Sequence, residues 1–377
     1  MEIDKLSYLK EKFHKSKKMK ILFRSIIMIS LIVAFTIYIR FNYLKTRYGN
    51  ILNDLNYNRV SFRSLLSQDK MKKILVIGSI GYDLTTYYDK MPVIGETIVG
   101  RKFAQNPGGK GDNQAVAAAR SGADITFLGA IGDDNYGEIL TKNLENNNVK
   151  HSLKIVPNMS CQVATILVDK EGRNSIIIVP GANNYVDKKQ IDDNEKLIDE
   201  NDIILLQLEI PIETVEYVID MAYKKNKIII LNPAPGRPLS ENILKKVNYL
   251  TPNESELSLI TGMPTSNLEE IKLASKKIIE LGAQNLIVTL GEKGSLLVNK
   301  EGSKLFPAFP TVAVDTTGAG DCFAGVFVTY LSKGYSINET IKYANLASSI
   351  SVTKIGTIPS LPTQKEIEAK KKEIKDW

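Results

Sequence analysis

The sequence predicts a three-layer α/β/α fold: a mostly parallel sheet covered by helices on both faces, with a small second β-sheet beside it as a lid. Three observations lead there. From Ile74 onward, short apolar runs bounded by turn residues alternate with amphipathic stretches of helical period, the rhythm of successive βαβ units. Two segments, 83–105 and 162–179, alternate with period two instead, the second with Glu171-Gly172 at a turn, and read as antiparallel lid strands. Hydrophobic residues at 43% and charged residues at 24% sit near globular averages, which excludes wholesale disorder, collagen-like repeats and a polytopic membrane protein.

Residues 1–70 stand apart as an N-terminal extension. Lys5, Lys10, Lys12, Lys15, Lys17, Lys18 and Lys20 outnumber Glu2, Asp4 and Glu11, and this local excess supplies more than half of the formal net charge of +7. Residues 21–39 are strongly apolar but interrupted by Arg24 and closed by Arg40. The 15 uncharged residues from Ser25 to Ile39 would span ~22 Å as a helix, short of a ~30 Å hydrocarbon core unless the arginines snorkel. A membrane anchor, a targeting presequence and a mis-assigned start all fit, since a basic stretch precedes the run but no small-residue cleavage site follows it. Residues 41–70 read as linker, and Met71 as a natural start for a globular domain over 71–377.

Within that domain the strands are expected at Ile74–Ile80, Ile125–Ile131, Ile203–Leu208, Lys227–Leu231 and Asn285–Leu290. Helices are expected at Asn113–Ser121, Gly137–Asn146, Ile212–Lys224, Glu254–Thr261, Leu268–Leu281, Asp321–Ser332 and Ile337–Lys354. The two cysteines, Cys161 and Cys322, lie far apart, which argues against a disulfide framework or a thiolate zinc site and for a reducing compartment. Two histidines, His14 and His151, leave little for a Ser-His-Asp triad, so acid–base chemistry falls to carboxylates. No spread-out basic face or motif points to nucleic acid.

Two segments carry the chemistry. Asp315-Thr316-Thr317-Gly318-Ala319-Gly320-Asp321 leads into an apolar helix. Glycines before a helix start let backbone N–H groups converge on an anion, and a carboxylate there can take a proton from a hydroxyl as a phosphoryl group moves. The plainer reading is a tight turn with Asp321 as N-cap. Asn106-Pro107-Gly108-Gly109-Lys110-Gly111-Asp112-Asn113-Gln114 leads into an alanine-rich helix. It lacks the Ser/Thr of a Walker A loop, and its glycines, Lys110 and Asn113 suit polar ligand groups approaching the backbone. A glycine-rich helix start with no ligand is the alternative.

The pair GGKGxNQA and DTTGAGD on an α/β pattern resembles the ribokinase (PfkB-type carbohydrate kinase) family, from Met71 to the C-terminus. The resemblance implies a ribokinase-like fold with a small β lid, and transfer of the ATP γ-phosphate to a sugar hydroxyl with Mg²⁺ on the phosphates. It makes Asp321 the catalytic base and Gly318, Ala319 and Gly320 the anion hole. Gly81, Asp83, Gly108, Gly109, Lys110, Asn113 and Glu209 match its sugar pocket. Asn253 and Glu256 match its NxxE element near metal and phosphates, where helix capping would serve equally. Thr289, Leu290, Gly291, Glu292, Lys293 and Gly294 match its nucleotide loop, and Asn345 an adenine-side position. Asp315, Thr317, Ser351, Lys354, Gly356 and Ser360 match its monovalent-cation site, which implies K⁺. The resemblance also implies a homodimer formed through the lid.

Two departures stand out. The family typically carries Asn at the position of Gly81, and its loss weakens the expectation of ribose specificity. Asp112, where a small residue is usual, reads as a solvated helix-start residue. The expected function is ATP-dependent phosphorylation of D-ribose at its 5-hydroxyl. The alternatives are a kinase for another pentose, fructose or a nucleoside, and a non-catalytic, membrane-tethered sugar-binding protein. ATP supply and cysteine usage favour the cytoplasm or another ATP-rich reducing compartment, although the positive-inside rule would send an anchored domain across the membrane.

Overall fold

The computed structural model describes residues 71–377 except 172 and 376; the N-terminal extension and its apolar segment 21–39 lie outside the described residues. Among the described residues, no helix is long and apolar enough to cross a membrane.

The large sheet follows from runs such as Ile74-Leu75-Val76-Ile77, apolar at every position because both faces are covered. Its strands are β1 (Ile74–Ile77), β4 (Ile125–Gly132), β5 (Lys150–Val156), β8 (Ile203–Leu206), β9 (Ile228–Leu231), β10 (Tyr249–Leu250), β11 (Asn285–Thr289), β12 (Ser295–Asn299) and β13 (Gly302–Phe306). Their order is β13-β12-β11-β10-β9-β8-β1-β4-β5. Pairing is parallel from β5 to β11 and antiparallel for β12 and β13. Side chains alternate between two cores: Ile74, Val76, Ile203 and Leu205 face one, while Leu75, Ile77, Ile204 and Leu206 face the other.

The main helices are α1 (Lys110–Arg120), α2 (Asn135–Asn146), α3 (Ile212–Lys224), α4 (Glu254–Thr261), α5 (Leu268–Glu280), α6 (Ala319–Ser332), α7 (Ile337–Ser351) and α8 (Gln364–Lys372). Helices α1, α6 and α7 contribute to the first core and α3, α4 and α5 to the second, which gives the three layers. The lid is a separate sheet of β2 (Gly81–Tyr87), β3 (Lys102–Gly108), β6 (Gln162–Val168) and β7 (Asn174–Val179), ordered β3-β2-β6-β7. It is not wholly antiparallel as expected, because β2 and β6 run parallel between two antiparallel outer pairs.

Several boundaries differ from expectation. The strand expected at Ile74–Ile80 ends at Ile77, and the chain crosses into the lid at Gly81. Helix α1 starts at Lys110, three residues before the expected Asn113, because Gly109 takes φ 90 and turns the chain into the helix.

Candidate active site

From β1 the chain continues to β4 and β5 on one side and from β8 to β9 and β10 on the other, so the strand order reverses between β1 and β8, the place where open α/β sheets form a crevice at the carboxyl ends of their strands. Ser79 follows β1, Gln207 and Glu209 follow β8, Asn232 follows β9, and α1 brings its first turn there. The start of α6 joins them through close packing. A Cβ on Gly325 would lie 2.5 Å from Ala117 Cβ and 2.6 Å from the Gln114 carbonyl, so only glycine lets α6 approach α1 this closely.

That approach sets Asp321 against α1. Asn113 Nδ2 donates to Asp321 Oδ2 at 2.9 Å, and Gln114 Nε2 donates to Oδ1 at 2.9 Å. Gln114 Nε2 also lies 2.9 Å from Asn232 Oδ1 and accepts through Oε1 from Gln207 Nε2 at 2.7 Å. Asn232 Nδ2 donates onward to the Thr251 carbonyl. Asp321 is thus the third residue of α6 with both oxygens engaged by neighbouring helix side chains, and the reading of it as an N-cap is corrected: Gly318, in the left-handed region at φ 77, holds that place.

The segment before α6 leaves backbone donors open to space. Asp315 Oδ1 accepts from the Thr317 amide and Oδ2 from the Gly356 amide, both at 2.9 Å, tying this loop to the turn after α7. Ala319 donates to the Thr316 carbonyl at 3.2 Å, so its amide is engaged. Among the described residues, no group accepts from the amides of Gly318, Gly320 or Asp321. A Cβ on Gly320 would meet nothing within 4 Å, so its backbone opens onto free space.

The residues expected to bind the sugar lie near one another. Ser79 Oγ donates to Glu209 Oε2 at 2.6 Å, and the Lys110 amide donates to the same oxygen at 3.1 Å. Asp83 crowds Gly108, where a Cβ would fall 2.4 Å from its Oδ2. Burial first, then the Glu209 and Asp321 carboxylates, push the Asp83 carboxyl up to about 7, with Lys110 opposing. Burial disfavours the Lys110 ammonium, but Asp321, Glu209, Glu256 and Asp83 outweigh it and hold its pKa above the usual lysine value. Asn113 Oδ1 is buried without a hydrogen-bond partner among the described residues. Asp112 corrects the expectation of a solvated residue: it is 0% exposed, and Asn143 Nδ2 donates to both its oxygens.

The residues expected on the nucleotide side lie at α4, at the end of β11 and in α7. Asn253 and Glu256 make a complete capping box at the start of α4, with Asn253 Oδ1 accepting from the Glu256 amide and Glu256 Oε2 from the Asn253 amide, each at 2.8 Å. The Glu256 carboxyl is raised first by burial and then by Asp321, with the Asn253 amide and Lys110 opposing. Thr289 bridges to Asn253, and a turn follows at Gly291–Lys293 with the Leu290 amide donating to the Gly294 carbonyl. Asn345 is buried; its Nδ2 donates to the Phe306 carbonyl at 3.2 Å and its Oδ1 accepts from Ser295. Of the expected cation-site residues, Ser351 and Ser360 pair through their hydroxyls at 2.8 Å, and the Lys354 ammonium pairs with Glu366 at 2.7 Å.

The donor set suits a metal carried on phosphates. Among the described residues, no three acidic, His or Cys side chains cluster to hold a metal by themselves. Glu256 offers one carboxylate, the usual protein share for Mg²⁺ bound mainly through phosphate oxygens. Four carboxylates around Lys110 would repel a bare polyphosphate, and Mg²⁺ would offset that charge.

Sequence reasoning missed Gln207 and Asn232, and gave Gln114 no role beyond its motif. Their only signal is position, just past the apolar runs of β8 and β9 or beside Asn113.

The family model described as pfkB family carbohydrate kinase matches residues 71–364. Deoxyribokinase of Salmonella typhi is 39% identical over 292 residues, covering 77% of this chain and 95% of that protein. Ribokinase of Bacillus subtilis is 39% identical over 299 residues, covering 79% and 99%. The structure of Arabidopsis thaliana ribokinase complexed with ribose and ATP superposes with a TM-score of 0.75 at 33% identity, covering 80% of this chain and 99% of that one. Motifs, fold and these relatives together make the chain a member of the ribokinase (pfkB-type) family of carbohydrate kinases.

Proposed function

We propose that this kinase transfers the ATP γ-phosphate to the 5-hydroxyl of D-ribose, giving ribose 5-phosphate and ADP. The observation that carries the reading is the Asp321 carboxylate, held by Asn113 and Gln114 beside backbone amides with no acceptor among the described residues. Asp83, Lys110, Asn113 and Glu209 bind and orient the sugar. Asp321 takes the hydroxyl proton as the sugar oxygen attacks phosphorus and the bond to the β-phosphate oxygen breaks. The amides of Gly318, Gly320 and Asp321 stabilise charge on the transferring group, and Glu256 would hold the Mg²⁺ that neutralises phosphate charge. Asn253, Thr289–Gly294 and Asn345 shape the nucleotide side.

A second substrate is favoured by Gly81, which offers no side chain to a sugar hydroxyl, and by the deoxyribokinase relative: 2-deoxyribose. Potassium would bind beside the Asp315–Gly356 tie and support the anion hole, so replacing K⁺ by a large organic cation lowers kcat. A homodimer through the lid fits β7, where Ile176, Ile177, Ile178 and Val179 are all exposed. The functional test is ATP consumption by the full chain with Mg²⁺ and K⁺ on ribose, 2-deoxyribose, other pentoses, fructose and adenosine. Preference for ribose supports the reading, and preference for fructose or adenosine refutes it.

A further inference from the structure

We propose that Gln162 reads a sugar hydroxyl from the lid, standing in the part of the pocket that Gly81 leaves without a side chain. The inference rests on the sugar-kinase reading and names a specificity-determining residue within it.

The register of the lid places Gln162 there. Gly81 pairs with Gly108 on β3 and with Gln162 on β6. Directly opposed residues, and residues two apart on a strand, share a face. Gln162 therefore lies on the same face as Gly81 and Asp83, the face that meets Lys110 and Glu209. Its stem covers Gly81: a Cβ there would fall 2.7 Å from Gln162 Cβ and 2.8 Å from Cγ. Any side chain at 81 collides with this glutamine, so the glycine and the glutamine belong together.

The direction of the Gln162 amide follows from its neighbour. Asn183, 0% exposed, accepts from the Ile80 amide through Oδ1 at 3.2 Å and donates to the Ile80 carbonyl through Nδ2 at 3.1 Å. These two backbone partners fix which end of Asn183 is oxygen. The same Nδ2 donates to Gln162 Oε1 at 2.8 Å, so Oε1 faces Asn183 and Nε2 faces away. Gln162 as a residue is 3% exposed, and its Nε2, which donates to no group among the described residues, is not one of the buried atoms left without a partner, so it reaches open space. A donor whose amide is oriented by Asn183 and whose N–H groups meet open space is free to reach a ligand oxygen. Nε2 donates and the Asp83 carboxylate accepts on one face, a pair suited to two neighbouring hydroxyls of a sugar.

The test compares wild type with Gln162→Glu and Gln162→Met in the full chain. Glutamate keeps an oxygen for Asn183 and the stem over Gly81 while removing the outward donor; methionine keeps the bulk and removes both polar ends. The expected result is a rise of about tenfold or more in the KM for ribose in both variants, with the KM for ATP within about twofold and the melting temperature close to wild type. Gln162→Met should penalise 2-deoxyribose or 3-deoxyribose less than ribose, since the sugar lacking the contacted hydroxyl has nothing to lose. Sugar KM values within twofold of wild type in both variants, or a parallel rise for ATP and sugar, overturn the proposal. If wild type prefers another sugar, the ribose reading falls and the variants are judged on that sugar; a wild type that phosphorylates no sugar overturns both.

Discussion

Substituting Gly325 by alanine tests how closely the catalytic geometry depends on the packing of α1 against α6. The added methyl carbon would start 2.5 Å from Ala117 Cβ, 2.6 Å from the Gln114 carbonyl oxygen and 3.0 Å from the Ala118 amide nitrogen. Carbon atoms in contact prefer ~3.5–4.0 Å, so the helices must part by about 1 Å. None of the three obstacles is a flexible side-chain end, so the shift passes into the helix axes. Asp321 lies one turn before Gly325, and Asn113 and Gln114 lie one turn before Ala117 and Ala118, so the 2.9 Å bonds to Asp321 lengthen beyond hydrogen-bond range. Overpacking of this kind costs about 1–3 kcal/mol of stability, and a misplacement of about 1 Å costs roughly 10²-fold in rate. Steady-state phosphorylation and thermal melting of Gly325→Ala should show a kcat loss near that size, with the protein still folded at 25 °C. A kcat within threefold of wild type would mean that the helix spacing does not position the base.

Further outcomes follow from the same geometry. Gly320→Ala should leave melting nearly unchanged, because the methyl meets nothing in the protein, yet lower kcat because it projects into the space before the anion hole; steady-state kinetics beside a melting curve checks both. Asp83 is protonated below about pH 7 in the folded chain, so the sugar KM should rise as pH falls through 7 while the KM for ATP changes less. The stability consequence has the opposite sense: the folded pKa lies above the ordinary aspartate value of 3.8, so stability is lost as pH rises from 3.8 to about 7 and levels off above. Asp83→Asn should therefore raise the melting temperature more at pH 8 than at pH 5, while weakening sugar binding. Ile177→Asp should convert a lid dimer to monomer in sedimentation velocity; an unchanged sedimentation coefficient refutes assembly through β7.

Much of the fold was legible because period and capping agree. The helix expected at Ile212–Lys224 and that at Glu254–Thr261 match α3 and α4 residue for residue; Pro211 precedes the first, and Asn253 and Gly262 bracket the second. Helix α8 escaped notice because it is polar except for Ile367, which alone is buried, although Thr363 and Glu366 form a capping box. The hairpin of β12 and β13 also went unread, since Gly302–Phe306 is exposed over most of its length and presents little apolar pattern. In the site, Asp321 stood out through the glycines before its helix and the other carboxylates through the family resemblance, whereas the buried Asp112 did not, because burial depends on its distant partner Asn143. The uncharged amides of Gln207 and Asn232 draw meaning only from chain segments far away in sequence. The Gly81 departure was visible, but its companion was not, because the pairing of 81 with 162 is a matter of strand register.

Whether Asp321 is the base of a ribose kinase is decided by Asp321→Asn. Rapid-quench single turnovers with saturating ribose, ATP, Mg²⁺ and K⁺ should lose about 10²–10⁴-fold in rate, while calorimetric affinities for ribose and ATP stay within a few fold of wild type. Wild-type product should carry phosphate on the 5-oxygen. A variant that phosphorylates ribose at a near wild-type rate would contradict the claim.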